Sequence, residues 1–356
     1  QNRLDGLIFN TGIFTNLSQD HLDYHKNLKD YLDAKLYLFR NLIKKKGNII
    51  TDSKIPEFAQ IKKITKKKFL KLNTIEGKND ELKILTHSFH DESQIIKIKY
   101  KDIVKYIKLN LIGKIQIKNI LMSIIAAEKS GLNLNKILNV LPSLKPIEGR
   151  FEKIGMIKNK SKVVLDYAHT PDALKTCLLN LKEQFPDKKI ISLFGCGGNR
   201  DQNKRSKMGN IADIFSDEIY LTDDNPRFES SHKIRKDIRT GIKKTKVIEI
   251  SDRGKAIAQA IKNLRTGEIL LVAGKGHEKV QDIGKRKIFF SDKKIILESI
   301  KTKNHSLSNN LKLNIIREVS GNKKFPFSLK LKQARINSKE VKKDDIFFAI
   351  KGNKND

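Results

Sequence analysis

The chain of 356 residues has no tryptophan, three methionines, seven prolines and two cysteines, Cys177 and Cys196. Two unpatterned thiols exclude a disulfide framework and a zinc site. No apolar run approaches the roughly 20 residues of a membrane-spanning helix, and no signal-peptide pattern opens the chain. A soluble cytoplasmic protein with no membrane insertion is therefore expected. Acids are also scarce, with 40 Asp plus Glu against 73 Lys plus Arg and a formal charge of +33. That excess invites a nucleic-acid reading. However, 60 of the basic residues are Lys and 13 are Arg, and the lysines are spread over the whole chain among abundant Ile and Asn. This distribution points to compositional bias rather than a basic patch, so no nucleic-acid partner is expected.

What is present suffices for two or three domains, since 38% of the residues are hydrophobic. The chain opens Gln1-Asn-Arg-Leu without Met and stops at Asn355-Asp356 after a strand-like run. Both ends read as cut, and a piece of a longer polypeptide is expected.

Periodicity gives a strand over residues 8–16, a helix over 20–46 and a short strand over 47–52. Residues 53–110 alternate Lys with Ile and Leu, as half-exposed strands of a mixed sheet do. Helices follow over 118–131 and 134–141, then a joint at Pro146-Ile-Glu-Gly-Arg150. From residue 162 strands and helices alternate: strands over 162–167, 189–194, 218–222, 247–250 and 268–273, with helices over 171–184, 206–215, 231–243 and 254–263. Such alternation predicts a parallel, doubly wound sheet with ligand sites beyond the carboxyl ends of its strands. Residues 301–330 are polar and poorly periodic, like a linker, and 335–351 read as turn plus strand.

The polar clusters fall at those strand ends. The run DDNPR, Asp223–Arg227, supplies an amide and a rigid guanidinium fork on a turn. Asp166-Tyr-Ala-His-Thr-Pro171 suits either a nucleotide or a helix cap. The glycine turn Gly195-Cys-Gly-Gly-Asn-Arg-Asp201 resembles a phosphate cradle weakly. Gly274-Lys-Gly-His-Glu278 repeats the pattern, and Glu278 could accept from an ammonium. Arg227 and Glu278 together would clamp a zwitterion, provided adjacent parallel strands bring their loops together. Nearer the start, TNLSQDHLDYH over 15–25 reads as a metal site of Asp20, His21, Asp23 and His25, or as a capped helix start. Lys35, on the apolar side of its helix, reads as a snorkelling lysine.

Together these runs, with AKLYLF and EGRFE, resemble the Mur ligases in order and spacing from residue 1 to about 300. The resemblance is to the member that adds the third amino acid to UDP-N-acetylmuramoyl-L-Ala-D-Glu (the UDP-MurNAc-dipeptide). The resemblance implies ATP-dependent amide formation. ATP phosphorylates the D-Glu carboxylate, an incoming amine attacks the acyl phosphate, and phosphate leaves. It also implies roles. His21 and a carbamylated Lys35 would hold Mg2+, which displaces the snorkelling reading. Asn119, Arg150, Asp166 and His169 would line the ATP site. Arg200, Asn225, Arg227, Gly274 and Glu278 would bind meso-diaminopimelate, whose extra carboxylate Arg227 can pair. A folylpolyglutamate synthetase-like ligase is the alternative sharing the architecture.

The implied organisation is α/β. The C-terminal part of a central ATP-binding domain over 1–146 is followed by a Rossmann-like doubly wound domain over 147–303, a linker over 304–330 and a further start over 331–356. The family's G-T/S-N-G-K-T phosphate loop is not in the chain and is expected upstream. Its G-x-F-N appears as Gly113-Lys-Ile-Gln116. The tail from Arg335 resembles the truncated N-terminal α/β domain of a second, D-Ala-D-Ala-adding ligase. No Met follows Met208, so a translational fusion is expected.

Overall fold

The computed structural model describes residues 4–309 except 5, 19–23, 76, 78–79 and 81, and residues 334–347 except 336–337 and 344. In its first part, β1 (Phe9–Phe14), β2 (Ile43–Asp52) and β3 (Lys71–Ile75) form a parallel sheet. Helices α1 (Leu28–Tyr37) and α2 (Phe58–Lys67) cover one side, where Leu32, Leu36 and Ile61 pack with Phe39 and with Ile49 of β2. Helix α3 (Ile115–Lys129) buries Ile50 and Ile75 on the other side, and α4 (Leu134–Val140) joins it. Strands β4 (Leu82–His90), β5 (Ser93–Tyr100) and β6 (Ile103–Leu109) make an antiparallel sheet on the same core.

Two expectations fail here. The first helix stops at Tyr37, passes through a π turn over Leu38–Leu42, and Ile43 already pairs with Phe9. Residues 44–47 bulge from β2, because Phe9 faces Ile43 whereas Thr11 faces Asn48. Tertiary pairing overrides the helix propensity of the run. Helix α2 lies within the stretch read as strands. Its buried Ile61 and Thr65 follow helical spacing that the Lys–Ile alternation concealed.

The second part is the expected doubly wound sheet. Strands β7 (Glu152–Lys153), β8 (Lys162–Asp166), β9 (Ile190–Phe194), β10 (Glu218–Leu221), β11 (Val247–Glu249) and β12 (Ile269–Ala273) lie in the order β11-β10-β9-β12-β8-β7. All pairs are parallel except β7–β8. Apolar residues of α5 (Pro171–Gln184), α6 (Lys204–Phe215) and α7 (Ser231–Arg239) cover one face. Those of α8 (Arg253–Asn263) and α9 (Asp292–Asn309) cover the other. A hairpin of β13 (Val280–Ile283) and β14 (Arg286–Phe289) stands beside the sheet.

Helix α9 carries the fold past residue 303, so the expected linker begins inside a helix. Buried Lys303 donates to the carbonyls of Lys262 (2.9 Å) and Leu264 (2.7 Å), capping the end of α8. In the tail, β15 (Ala334–Arg335) pairs parallel with β16 (Ile346–Phe347). The rest of the run likened to a second ligase lies largely outside the described residues.

The two parts are joined by more than the chain. Gln184 accepts from the Gly113 amide (2.8 Å) and donates to the Asp91 carbonyl (2.6 Å), and Asn180 accepts from the Ile115 amide (2.9 Å). The C-terminal half of helix α5 thereby holds the start of α3.

Candidate functional site: a polar rim at the strand ends

The carboxyl ends of β8, β9, β10 and β12 carry the four clusters, where an open α/β sheet places its ligands. One premise is corrected. Strand β9 lies between β10 and β12, so the DDNPR and GKGHE loops are not carried by adjacent strands. They meet across the glycine turn instead. A Cβ on Gly195 would collide with the Thr222 carbonyl, and one on Gly198 with that of Pro226. The Gly198 amide donates to the Asn225 carbonyl at 2.9 Å. These glycines are explained by the close passage of the DDNPR loop, which a phosphate cradle would not require.

Arg227 sits on that loop with φ +51°, a left-handed conformation costly for any residue with a Cβ. Its amide donates to the Asp282 carbonyl (3.0 Å) and its Nη1 to the Gly198 carbonyl (2.8 Å). Its Nε lies 3.8 Å from the Asp282 carboxylate, and the side chain keeps 25% exposure. Arg200, exposed, approaches the same spot. A Cβ on Gly197 would lie 2.9 Å from Arg227 Nη1 and 3.9 Å from Arg200 Cγ. Beneath them Arg205 is fully buried and donates to both Glu229 oxygens (2.6 and 2.7 Å) and to Asp237 (2.8 Å). Arg205 holds the Glu229 carboxyl down at about 2, and Glu229 in turn accepts from the Asn199 amide (3.1 Å). One buried guanidinium thus pins both the Arg200 turn and the segment after Arg227.

Gly274 has φ +117°, and a Cβ there would lie 2.6 Å from Asp224 Oδ2, so only glycine fits. Asn225 and Glu278, expected to touch ligand, first touch each other: Asn225 Nδ2 donates to Glu278 Oε2 at 3.0 Å. The Asn225 amide oxygen accepts from Lys275 Nζ (2.9 Å) and the Asp282 amide (3.0 Å), so this side chain is committed within the protein. Lys275 and Tyr167 lie inside the strand-end motifs, and residue type and spacing along the chain assign neither a role. The available signal for Lys275 was a lysine between two glycines directly after a fully apolar strand.

The residues expected at the nucleotide gather around Tyr167. The Arg150 guanidinium lies 4.4 Å from its ring centre, and the His169 and His277 rings lie at 4.6 and 5.3 Å. Asp166 accepts from the amides of Phe151 (2.6 Å) and Ala168 (2.7 Å). Burial pushes its carboxyl up against those bonds. Thr170 caps α5, accepting from the Ala173 amide at 3.3 Å, so the capping reading of this motif also holds. Asn119 lies on the exposed side of α3; its neighbour Gln116 donates to the Arg150 carbonyl at 3.4 Å.

Lys35 stands elsewhere. It is half-buried, its Nζ 5.0 Å from the Tyr31 ring centre and 6.0 Å from that of Phe14. His21, Asp20 and Asp23 lie outside the described residues. Among the described residues no group of three or more His, Cys, Asp or Glu could hold a metal ion. No described helix is long and apolar enough to cross a membrane.

Family models and curated relatives similar in sequence point to the Mur ligases. Residues 1–127 match the Mur ligase middle domain, and residues 149–276 match the Mur ligase glutamate ligase domain. A UDP-N-acetylmuramoyl-L-alanyl-D-glutamate–2,6-diaminopimelate ligase of Rickettsia bellii is 40% identical over 296 residues, which is 83% of this chain and 61% of that protein. A ligase of the same name from Clostridium acetobutylicum is 37% identical over 304 residues, 84% of this chain and 61% of that protein. The chain therefore spans about three-fifths of the length of these relatives. A solved structure bearing that ligase name is 30% identical with a TM-score of 0.56, covering 85% of this chain and 62% of the other. A MurF ligase from Thermotoga maritima in complex with ADP is 18% identical with a TM-score of 0.62, covering 84% and 63%, and so shares the fold. Two matched domains, the strand-end motifs and the doubly wound sheet together establish that this chain belongs to the Mur ligase family.

Proposed function

We propose that the chain supplies the amino-acid-accepting part of a ligase that adds meso-diaminopimelate to UDP-MurNAc-L-Ala-D-Glu at the expense of ATP. The observation that carries this reading is that the Arg227 guanidinium and the Arg200 stem meet at Gly197, on the loop whose Asn225 donates to an anionic Glu278. The pair Arg200 and Arg227 offers planar donors for a carboxylate, and Glu278 offers an acceptor for an ammonium. Glu278 lies below the usual carboxylate range: burial pushes it up, but the hydrogen bond and charge of Lys275 outweigh that. One end of a diamino diacid bound in this way leaves its other amine for attack on an acyl phosphate. Holding that amine in line would supply much of the rate through orientation. Arg150 over Tyr167 offers a cation and a ring to a nucleotide. The relatives' names support the substrate assignment.

In the full-length protein, turnover of meso-diaminopimelate should exceed that of L-lysine by roughly 10-fold or more, since lysine leaves the guanidinium pair without its anion. Steady-state kinetics with both amino acids tests this, and a preference for lysine sinks the assignment. We also propose that the tail from residue 331 begins a second, fused ligase. A western blot of the source cell showing a product of single-ligase size would refute the fusion.

A further inference from the structure

Lys275 has no exposed surface, yet it lies at the rim of the site. Its Nζ donates to Asn225 Oδ1 (2.9 Å), Glu278 Oε2 (3.0 Å) and the Val280 carbonyl (2.7 Å). An ammonium has three donors, and all three are used. The acceptors sit on the loop after β10, the turn after β12 and the first residue of β13. Because Asn225 Oδ1 also accepts from the Asp282 amide, its Nδ2 must face Glu278. Glu278 Oε2 therefore receives two donors, while Oε1 faces the Tyr167 hydroxyl at 3.4 Å.

We infer that Lys275 is a positioning residue for amino-acid binding: it locks Glu278 through Oε2 so that Oε1 is presented to the ligand's ammonium, without touching the ligand itself. The inference rests on the reading above that Glu278 receives an amino group. Other charged groups act at the same place. Asp224 and Glu278 both bear on the Tyr167 hydroxyl, Arg253 feels both carboxylates, and His277 neighbours Tyr167 and Glu278. Of these, Lys275 alone donates to Glu278 from a fully buried cation.

The test uses Lys275→Met and Lys275→Arg in the full-length protein, with kcat and KM for meso-diaminopimelate measured across pH. For the Met variant, KM should rise roughly tenfold or more while kcat changes less. The acid limb of kcat/KM should also move to higher pH. Without the ammonium, Glu278 takes up its proton at higher pH, and the protonated form does not hold an ammonium. The Arg variant keeps the charge and should hold the limb near its wild-type position. A lysine that only supports the fold would lower the melting temperature and leave the limb fixed. That result, or an unchanged KM in a folded Met variant, overturns the inference. Where the Met variant does not fold, Lys275→Gln keeps donors without charge; its limb should move in the same direction, and a fixed limb overturns the inference. Failure of the underlying reading looks different: the wild-type protein itself would ignore meso-diaminopimelate while using another amino acid.

Discussion

Arg227→Ala in the full-length protein is expected to raise KM for meso-diaminopimelate by roughly 10- to 150-fold, while KM for L-lysine stays within about twofold. The range corresponds to the ~1.5–3 kcal/mol typical of a hydrogen bond to a charged group. The upper end needs a water-excluded pair, and the 25% exposure of Arg227 argues for the lower half. Arg227→Lys should fall between, because an ammonium cannot grip a carboxylate with two parallel donors. The backbone separates this loss from a folding defect. At φ +51° any side chain strains the chain, so Arg227→Gly should melt higher than Arg227→Ala while losing as much affinity for the diacid. Equal KM for wild-type and Ala proteins would remove Arg227 from the recognition of the second carboxylate.

The largest effect on stability is expected at the Arg253–Asp292 pair, on which the second part of the fold turns. Both side chains are fully buried, and the guanidinium donates to both Asp292 oxygens (2.8 and 2.7 Å) and to the Ala273 carbonyl (2.9 Å). Removing one partner strands the other charge in the interior, at a cost of about 3–5 kcal/mol. That is a large share of the roughly 5–15 kcal/mol by which a domain is stable. Asp292→Ala should therefore lower the melting temperature by roughly 6–20 °C. The double variant Arg253→Met with Asp292→Leu should recover most of it, because two apolar residues replace two desolvated charges. A single variant melting with the wild-type protein would mean that water reaches the pair. Activity should fall with Asp292→Ala even below its melting point, because Arg253 fixes Ala273, the residue before Gly274.

Much of this was legible in the primary structure because the relevant signals are local. Strand–helix alternation from residue 162, the Pro171 helix start and the glycines of two turns are read from neighbours in the chain. The same local reading failed where long-range pairing decides. Ile43 leaves a helical run because β1 offers a partner. Helix α2 was hidden because lysine stems accompany either periodicity. Helix α9 outlasts its polar composition because Lys303 reaches the end of α8.

The sequence alone determined the family, the doubly wound plan and the residues placed at the strand ends, since each depends on residue type and spacing along the chain. The tertiary structure alone decided that β9 separates the two recognition loops, and that glycines let those loops meet across it. It also turned Asn225 inward and set a buried lysine behind Glu278. Those outcomes depend on which backbone segments pass within a few ångströms of one another, and no spacing along the chain encodes that approach.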